Sequence, residues 1–378
     1  MTNSLTEPSQ HVTSHKLRIL QINLNKSEKA HLELINARLS KKYDIVLIQE
    51  PHTTKFNNIR TPPNFRLAFP PHCLISQDPI HSVIWINRRI NTNNWTSLDI
   101  PDISDIMAIQ LTNQQGVISI FNIYNDCNHI RNKIILHSFI TNNRNKIIAS
   151  ANHNMIWAGN FNRHHPLWDN DNNTHLFTLD HSANLIDLIT TYDLNMTLAK
   201  GIPMLQHMVT KKYSRPNKFF ITNRLINIIS NCKVDPTLRP PSTNHFPIIT
   251  TIQLHQPLAA KQINLNYKAT NWTTYKAKLQ NKLNNAQIPQ QIQHPTQIKI
   301  VLDSLTKAIQ DTTKEVVPQI KTRPDIKRWW NSDLTNMRKK LNRLRNLSYQ
   351  FRAITNHYSH KALKCDSNIY GKAIVKAK

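Results

Sequence analysis

Short apolar runs separated by polar turns are the dominant pattern over the first two thirds of the chain. Continuous apolar character predicts buried strands in segments 17–24, 43–50, 82–87, 106–111, 117–124, 154–159 and 247–254, with shorter strands near 204–210 and 218–222. Apolar residues at helical spacing predict helices in segments 28–41, 130–149 and 181–192. Many short buried strands mixed with helices are typical of an α+β sandwich and not of a regular βαβ repeat.

The pattern changes beyond residue 255. Segment 255–268 loses periodicity, and apolar spacing then favours helices around 302–309 and 334–351, the second flanked by lysines and arginines. The first fifteen residues are polar and are expected to be disordered. We therefore predict a disordered N-terminus (1–15), one main domain (16–255) and a basic, mainly helical C-terminal extension (256–378).

Charge and cysteine content narrow the partners and the compartment. The formal net charge is +26 and the pI is about 10.1, which indicates a polyanionic partner, most commonly nucleic acid. The sequence has neither a membrane-length apolar run nor an N-terminal apolar segment typical of a signal peptide. Its 4 cysteines are widely spaced and predict neither a zinc site nor a disulfide framework. These features favour a reducing, intracellular location, the nucleus or the cytoplasm.

Six polar motifs follow strand ends in a fixed order along the chain. They are QINLN (21–25), IQEPH (48–52), NIYND (122–126), WAGNFNRHHPLWD (157–169), SRPN (214–217) and TNHFPI (243–248). This series resembles the endonuclease/exonuclease/phosphatase superfamily, and most nearly the apurinic-type endonuclease domain of non-LTR retrotransposons. The resemblance covers about residues 16–255. The C-terminal extension looks like the linker to the reverse transcriptase of such elements, and we expect the sequence to lack the reverse transcriptase itself.

The resemblance implies a four-layer α/β/β/α sandwich of two mixed β-sheets. It also implies a divalent metal, Mg²⁺ or Mn²⁺, held by Glu50 at the end of the second core strand, with Asn23 helping to hold the metal shell. A hard cation prefers such oxygen ligands. Without the family, Glu50 would read as a surface residue at a strand end, and Asn23 as an ordinary polar strand residue.

Three further residues match the catalytic pattern of the family. Tyr124 corresponds to the tyrosine that hydrogen-bonds the scissile phosphate, and Asn162 to the asparagine that orients the substrate or the leaving group. His245 corresponds to the histidine that stabilises the phosphorane oxyanion.

Four positions depart from the family pattern. Asn160 stands where an aspartate positions the attacking water, Asn217 where an aspartate pairs with the histidine, and Asn244 where an acid adjoins the metal and water network. Met204 replaces a usual threonine. An amide is neutral and accepts no proton at pH 7. Since losing a positioned base lowers the rate by about 10²–10⁴, we expect an impaired enzyme.

Other polar residues near the fourth motif are candidates for lesser roles. His164 and His165 are adjacent and point in opposite directions on an extended chain, so we expect them to pack the loop and not to bind metal. Asp126, Asp169 and Asp171 are nearby acids, and partial replacement of the lost carboxylates is the alternative to a purely structural role.

The sequence therefore favours a retrotransposon-derived, metal-dependent DNA endonuclease that nicks its target, impaired by aspartate-to-asparagine replacements. Its partner would be DNA, with the RNA of the element as a further one. The alternatives are a non-catalytic nucleic-acid-binding module and a phosphodiesterase or phosphatase of the same superfamily with another substrate.

Overall fold

Two six-stranded β-sheets form the centre of the molecule. The computed structural model describes residues 16–76, 78–113, 116–126, 131–177, 179–254, 265–286, 294–319 and 329–378. Within them the strands are β1 (Lys16–Asn23), β2 (Ile45–Gln49), β3 (Phe65–Ala68), β4 (Ser82–Asn87), β5 (Trp95–Leu98), β6 (Ile106–Asn113), β7 (Gly116–Tyr124), β8 (His153–Asn160), β9 (Leu194–Met196), β10 (Leu205–Gln206), β11 (Tyr213–Ser214), β12 (Asn217–Thr222), β13 (Ile229–Val234) and β14 (Ile248–Gln253).

Both sheets are mixed. The first has the order β13-β14-β1-β2-β4-β3, and only its central pair β1/β2 is parallel. The second has the order β5-β6-β7-β8-β12-β9, with a parallel β7/β8 pair. The short strands β10 and β11 form a separate hairpin.

Alternating residues of each strand face different layers, as the pleat of a β-strand requires. Ile19 of β1 and Ile156 of β8 belong to the core between the two sheets. Leu20 instead packs with α1 (Glu28–Ile35) on the outer face of the first sheet. Trp157 packs with α2 (Arg131–Asn142), α3 (Arg144–Ile147) and α4 (Leu179–Thr191) on the outer face of the second. The four-layer α/β/β/α prediction is thus confirmed.

The C-terminal region is helical, with α5 (Trp272–Asn285), α6 (Pro295–Val316), α7 (Ser332–Gln350) and α8 (Tyr358–Ala377). Contacts divide the chain into one unit of residues 1–259 and 325–378 and another of residues 260–324. The helices α7 and α8 therefore belong to the unit of the sandwich, whereas our division placed everything after residue 255 in one extension. Among the described residues, none of the helices combines the length and apolar character that crossing a membrane requires.

Candidate active site

The predicted site residues lie at the ends of strands from both sheets. Asn23 ends β1 beside Gln49 of β2, and Glu50 follows β2 directly. In the second sheet Asn160 is the register partner of both Tyr124 and Asn217. The side chains of Asn23, Glu50, Asn160 and Asn217 therefore gather at corresponding strand ends.

Hydrogen bonds join the two sheets at this end. Thr243 Oγ1 donates to the carbonyl of Asn23 at 2.8 Å and accepts from the backbone N–H of His245 at 3.3 Å. His245 Nδ1 lies 2.8 Å from Asn217 Oδ1. Residues far apart in sequence are thus linked in one continuous path across the cleft.

Glu50 is the carboxylate that the first sheet contributes to the cleft. Its backbone has a φ of 45°, in the left-handed region. Its N–H donates to the carbonyl of His81 at 2.7 Å and its carbonyl accepts from Lys26 at 2.9 Å, which holds this unusual turn. Asn23 Nδ2 donates to Glu50 Oε2 at 2.9 Å, so Asn23 orients the carboxylate.

The loop after β8 holds two of the predicted residues. Asn162 also has a left-handed backbone, with a φ of 45°. Its N–H donates to Asn160 Oδ1 at 3.3 Å, and its Nδ2 donates to the carbonyl of Asn125 at 2.7 Å. The side chain of Asn160 therefore acts as an acceptor that shapes the loop.

His245 is buried and neutral. Burial is the main reason that its pKa falls from the ordinary 6.5 to about 3, and the nearby charge of Arg239 lowers it further. Because Asn217 Oδ1 can only accept, His245 Nδ1 carries the proton and Nε2 is an acceptor. Asn217 supplies no negative charge to stabilise an imidazolium.

Two amide atoms in the site are buried without a hydrogen-bond partner among the described residues. They are Asn217 Nδ2 and Asn244 Oδ1. Asn244 is fixed through its backbone, because its carbonyl accepts from the N–H of Gln206 at 3.0 Å. Buried polar atoms are normally paired by protein or water, and the described protein atoms supply no partner to these two.

His81 and Asp105 are site residues that sequence reasoning missed. His81 Nδ1 lies 2.6 Å from Asp105 Oδ1, and the ring of His81 is 4.9 Å from that of Tyr124. The backbone carbonyl of Asp105 accepts from the Tyr124 N–H at 2.8 Å. Both residues immediately precede a strand, and β4 runs antiparallel to β2, so the start of β4 lies beside Glu50. The antiparallel pairing of β2 and β4 was the signal that could have placed His81 in the site.

The HHPLW loop is a packing unit. His164 Nδ1 lies 3.1 Å from Asp169 Oδ2, and the ring of His165 is 5.4 Å from that of Trp168. Beneath the loop, Lys218 is fully buried, donates to the carbonyl of Arg163 at 2.8 Å, and has its pKa lowered by burial to about 7. These contacts agree with the expected packing role of both histidines.

Asp169, Asp171 and Met204 lie outside the hydrogen-bonded path that joins Asn23 to Asn217. Asp169 is fully buried beside His164, and Asp171 pairs with Lys200 at 2.6 Å. Met204 is buried and forms backbone hydrogen bonds to Ser214 and Phe246. Over the described residues there is no group of three or more histidine, cysteine, aspartate or glutamate side chains suited to a metal ion.

Comparison with solved structures supports the architecture. The endonuclease domain of TRAS1, a telomere-specific non-LTR retrotransposon, matches with a TM-score of 0.50 and 17% identity over 63% of this chain and 99% of that one. The AP endonuclease LMAP from Leishmania major matches with a TM-score of 0.52 and 10% identity over 63% of this chain and 88% of that one. No protein-family model and no curated protein matches the sequence.

The chain therefore shares the fold of these two solved nuclease structures. Among the solved structures that share this fold is the retrotransposon endonuclease domain just described, which agrees with the resemblance carried by the six motifs.

Proposed function

We propose that this protein is a retrotransposon-derived DNA endonuclease domain that binds DNA at the His245 cleft and is catalytically impaired. The observation that carries the proposal is the His245–Asn217 contact, in which an amide oxygen takes the place expected of a carboxylate at 2.8 Å. The shape of a phosphodiesterase site is kept, while the charges that would drive hydrolysis are replaced by neutral groups.

Exposed cations near the cleft support DNA binding. Lys26 adjoins Glu50, and Lys211 and Lys212 lie in the β10–β11 hairpin, whose backbone contacts Asn244 and His245. Met208 and Val209 at the tip of the hairpin are 60% and 84% exposed. Lysines contact phosphates and release counterions, and exposed apolar side chains are used to wedge into DNA grooves.

The residues fit a weakly held divalent ion. Glu50 would be its carboxylate ligand, with Asn23 orienting that carboxylate, as their 2.9 Å hydrogen bond indicates. Mg²⁺ is commonly bound by one or two carboxylates together with substrate phosphates, and it would neutralise phosphate charge here. The neutral amides of Asn160 and Asn244 add no charge, so affinity for the ion should be low.

The protein groups themselves perform only part of the reaction. Asn162 and Tyr124 would orient the phosphodiester, and neutral His245 would offer an acceptor at Nε2 instead of a proton donor. Asn160 is unable to take a proton from water. Substrate binding and positioning should therefore survive better than hydrolysis.

Nicking of supercoiled plasmid DNA in the presence of Mg²⁺ or Mn²⁺ tests the proposal. We expect binding with at most trace nicking by the unmodified protein. Efficient cutting that is lost in Glu50→Ala would contradict the impairment while supporting the assignment of Glu50. Failure to bind duplex DNA would contradict the function itself.

A non-catalytic nucleic-acid-binding module is the second candidate, with the RNA of the element as a further partner. It is favoured by the neutral asparagines and the neutral histidine in the cleft. Binding that needs no metal and never leads to nicking would select it. A phosphodiesterase acting on another substrate would instead hydrolyse a small diester and leave DNA intact. DNA as partner would place the endonuclease and the DNA-binding module in the nucleus or the cytoplasm.

A further inference from the structure

The helix α7 is fixed firmly to the sandwich at its middle. Arg345 donates to both carboxylate oxygens of Glu33 in α1, at 3.2 and 3.3 Å, and both side chains are buried. Arg338 donates to the carbonyl of Asn36 at 3.1 Å. A charge pair desolvated in this way holds only in good geometry, so α7 has a defined position against α1.

The C-terminal end of α7 reaches the segment that carries His245. Tyr349 donates through its hydroxyl to the carbonyl of Pro203 at 3.2 Å, and its ring lies 5.0 Å from that of Phe246. Phe246 follows His245 in sequence and also stacks on Tyr213, at 6.4 Å. Tyr349 therefore packs directly behind the cleft.

Arg352 extends this wall to the surface. Its guanidinium carbon lies 4.6 Å from the centre of the Tyr349 ring, and its Nη1 donates to the Tyr349 carbonyl at 3.0 Å. The residue is exposed. A guanidinium that is stacked and hydrogen-bonded loses less conformational freedom when it binds a planar or bidentate acceptor such as phosphate.

The wall also carries a second cation. Arg239 lies 4.7 Å from the centre of the Phe246 ring and donates to the carbonyl of Thr243 at 3.0 Å. The carboxylate of the anchoring contact, Glu33, is neutralised by Arg345. Arg239 and Arg352 thus place two cations on the aromatic side chains behind His245, and cations of this kind complement a phosphate backbone.

We propose that Tyr349 and Arg352 form a phosphate-contact surface for duplex DNA that continues from the His245 cleft. The inference rests on the proposed function and assigns part of the DNA interface to the end of α7 and the turn that follows it. Tyr349 positions the arginine and Arg352 makes the contact.

Fluorescence anisotropy of the full chain with a labelled duplex of mixed sequence, titrated at several KCl concentrations, tests the proposal. Arg352→Ala should weaken binding and reduce the slope of log K against log [KCl] by about 1, the value expected for one phosphate contact. Arg352→Lys should keep the slope near that of the unmodified protein, because the charge remains.

Arg224→Ala is the matched control. Arg224 is exposed and lines a cavity with Gln253, which pairs with Lys16 at the opposite end of β1 from Asn23. Arg224→Ala should leave the slope of log K against log [KCl] unchanged. If Arg352→Ala binds with an unchanged affinity and slope, the inference is overturned and the proposed function stands. If the unmodified protein fails to bind DNA, both are overturned.

Discussion

The imidazole of His245 is paired with an amide: its Nδ1 lies 2.8 Å from Asn217 Oδ1. The geometry is that of a histidine–carboxylate pair, but the partner has no charge. Burial lowers the pKa of His245, and the nearby charge of Arg239 lowers it further. His245 is therefore held neutral and supplies no positive charge to the cleft.

Asn217→Asp should raise the pKa of His245. The added carboxylate lies within hydrogen-bonding distance and favours the imidazolium, an effect of about one to three pH units. NMR titration of the imidazole carbons gives the pKa directly, and Asn217→Ser provides a neutral control. An unchanged titration curve in Asn217→Asp would show that the pairing is absent in solution.

Acidification should destabilise the fold through its buried histidines. The pKa values of His245 and His31 fall by burial from 6.5 to about 3 and about 4, so both are neutral in the folded protein. The unfolded chain binds more protons below about pH 6.5, and the free energy of unfolding must therefore decrease as the pH falls. Urea unfolding at pH 7 and pH 5 measures this decrease in the free energy of unfolding. The decrease should be smaller in His245→Gln than in the unmodified protein, and an equal decrease would contradict the role of His245.

Restoring aspartate at positions 160, 217 and 244 together should produce metal-dependent nicking. The three changes return a proton acceptor, a partner for His245 and an acid beside it. Because members of one catalytic unit act non-additively, the single variants should give far less than the triple variant. Plasmid nicking measures the rate. Activity in the triple variant that persists after a further Glu50→Gln change would contradict the role of Glu50.

Glu33→Gln should destabilise the domain by about 3–5 kcal/mol, since it leaves Arg345 buried without its counter-charge. Urea unfolding followed by circular dichroism measures the loss. The control is Lys340→Ala, which removes an exposed pair with Asp366 at 2.8 Å and should change stability by about 0–1 kcal/mol. Equal effects of the two variants would show that α7 is not anchored as described.

Gly159→Ala should be poorly tolerated. Gly159 has a φ of 154°, and an added Cβ would lie 1.8 Å from the carbonyl oxygen of Ile123 on β7. The strand carrying Asn160 would have to shift, lowering the melting temperature. Gly371→Ala is the matched control, because a Cβ there meets only the flexible Lys29 side chain, at 3.3 Å. It should be neutral or stabilising by up to about 1 kcal/mol, since alanine favours a helix. A normal melting temperature for Gly159→Ala would contradict the close packing of β7 and β8.

Much of the sandwich could be predicted from local pattern, because buried strands such as β2 and β7 are continuous apolar runs. Other strands escaped detection: β3 lies in a proline-rich segment that was predicted to consist of turns, and β13 and β9 at the sheet edges lack a strong apolar pattern. Their pairing comes from neighbouring strands, which sequence periodicity does not report.

The sequence by itself determined which chemistry was available: one glutamate, one histidine and asparagines where acids are expected. Only the tertiary structure decided that Asn217 accepts from His245, that His81 and Asp105 adjoin Tyr124, and that α7 packs behind Phe246. These contacts join residues far apart along the chain, and their geometry depends on sheet register and burial. Local residue patterns contain neither.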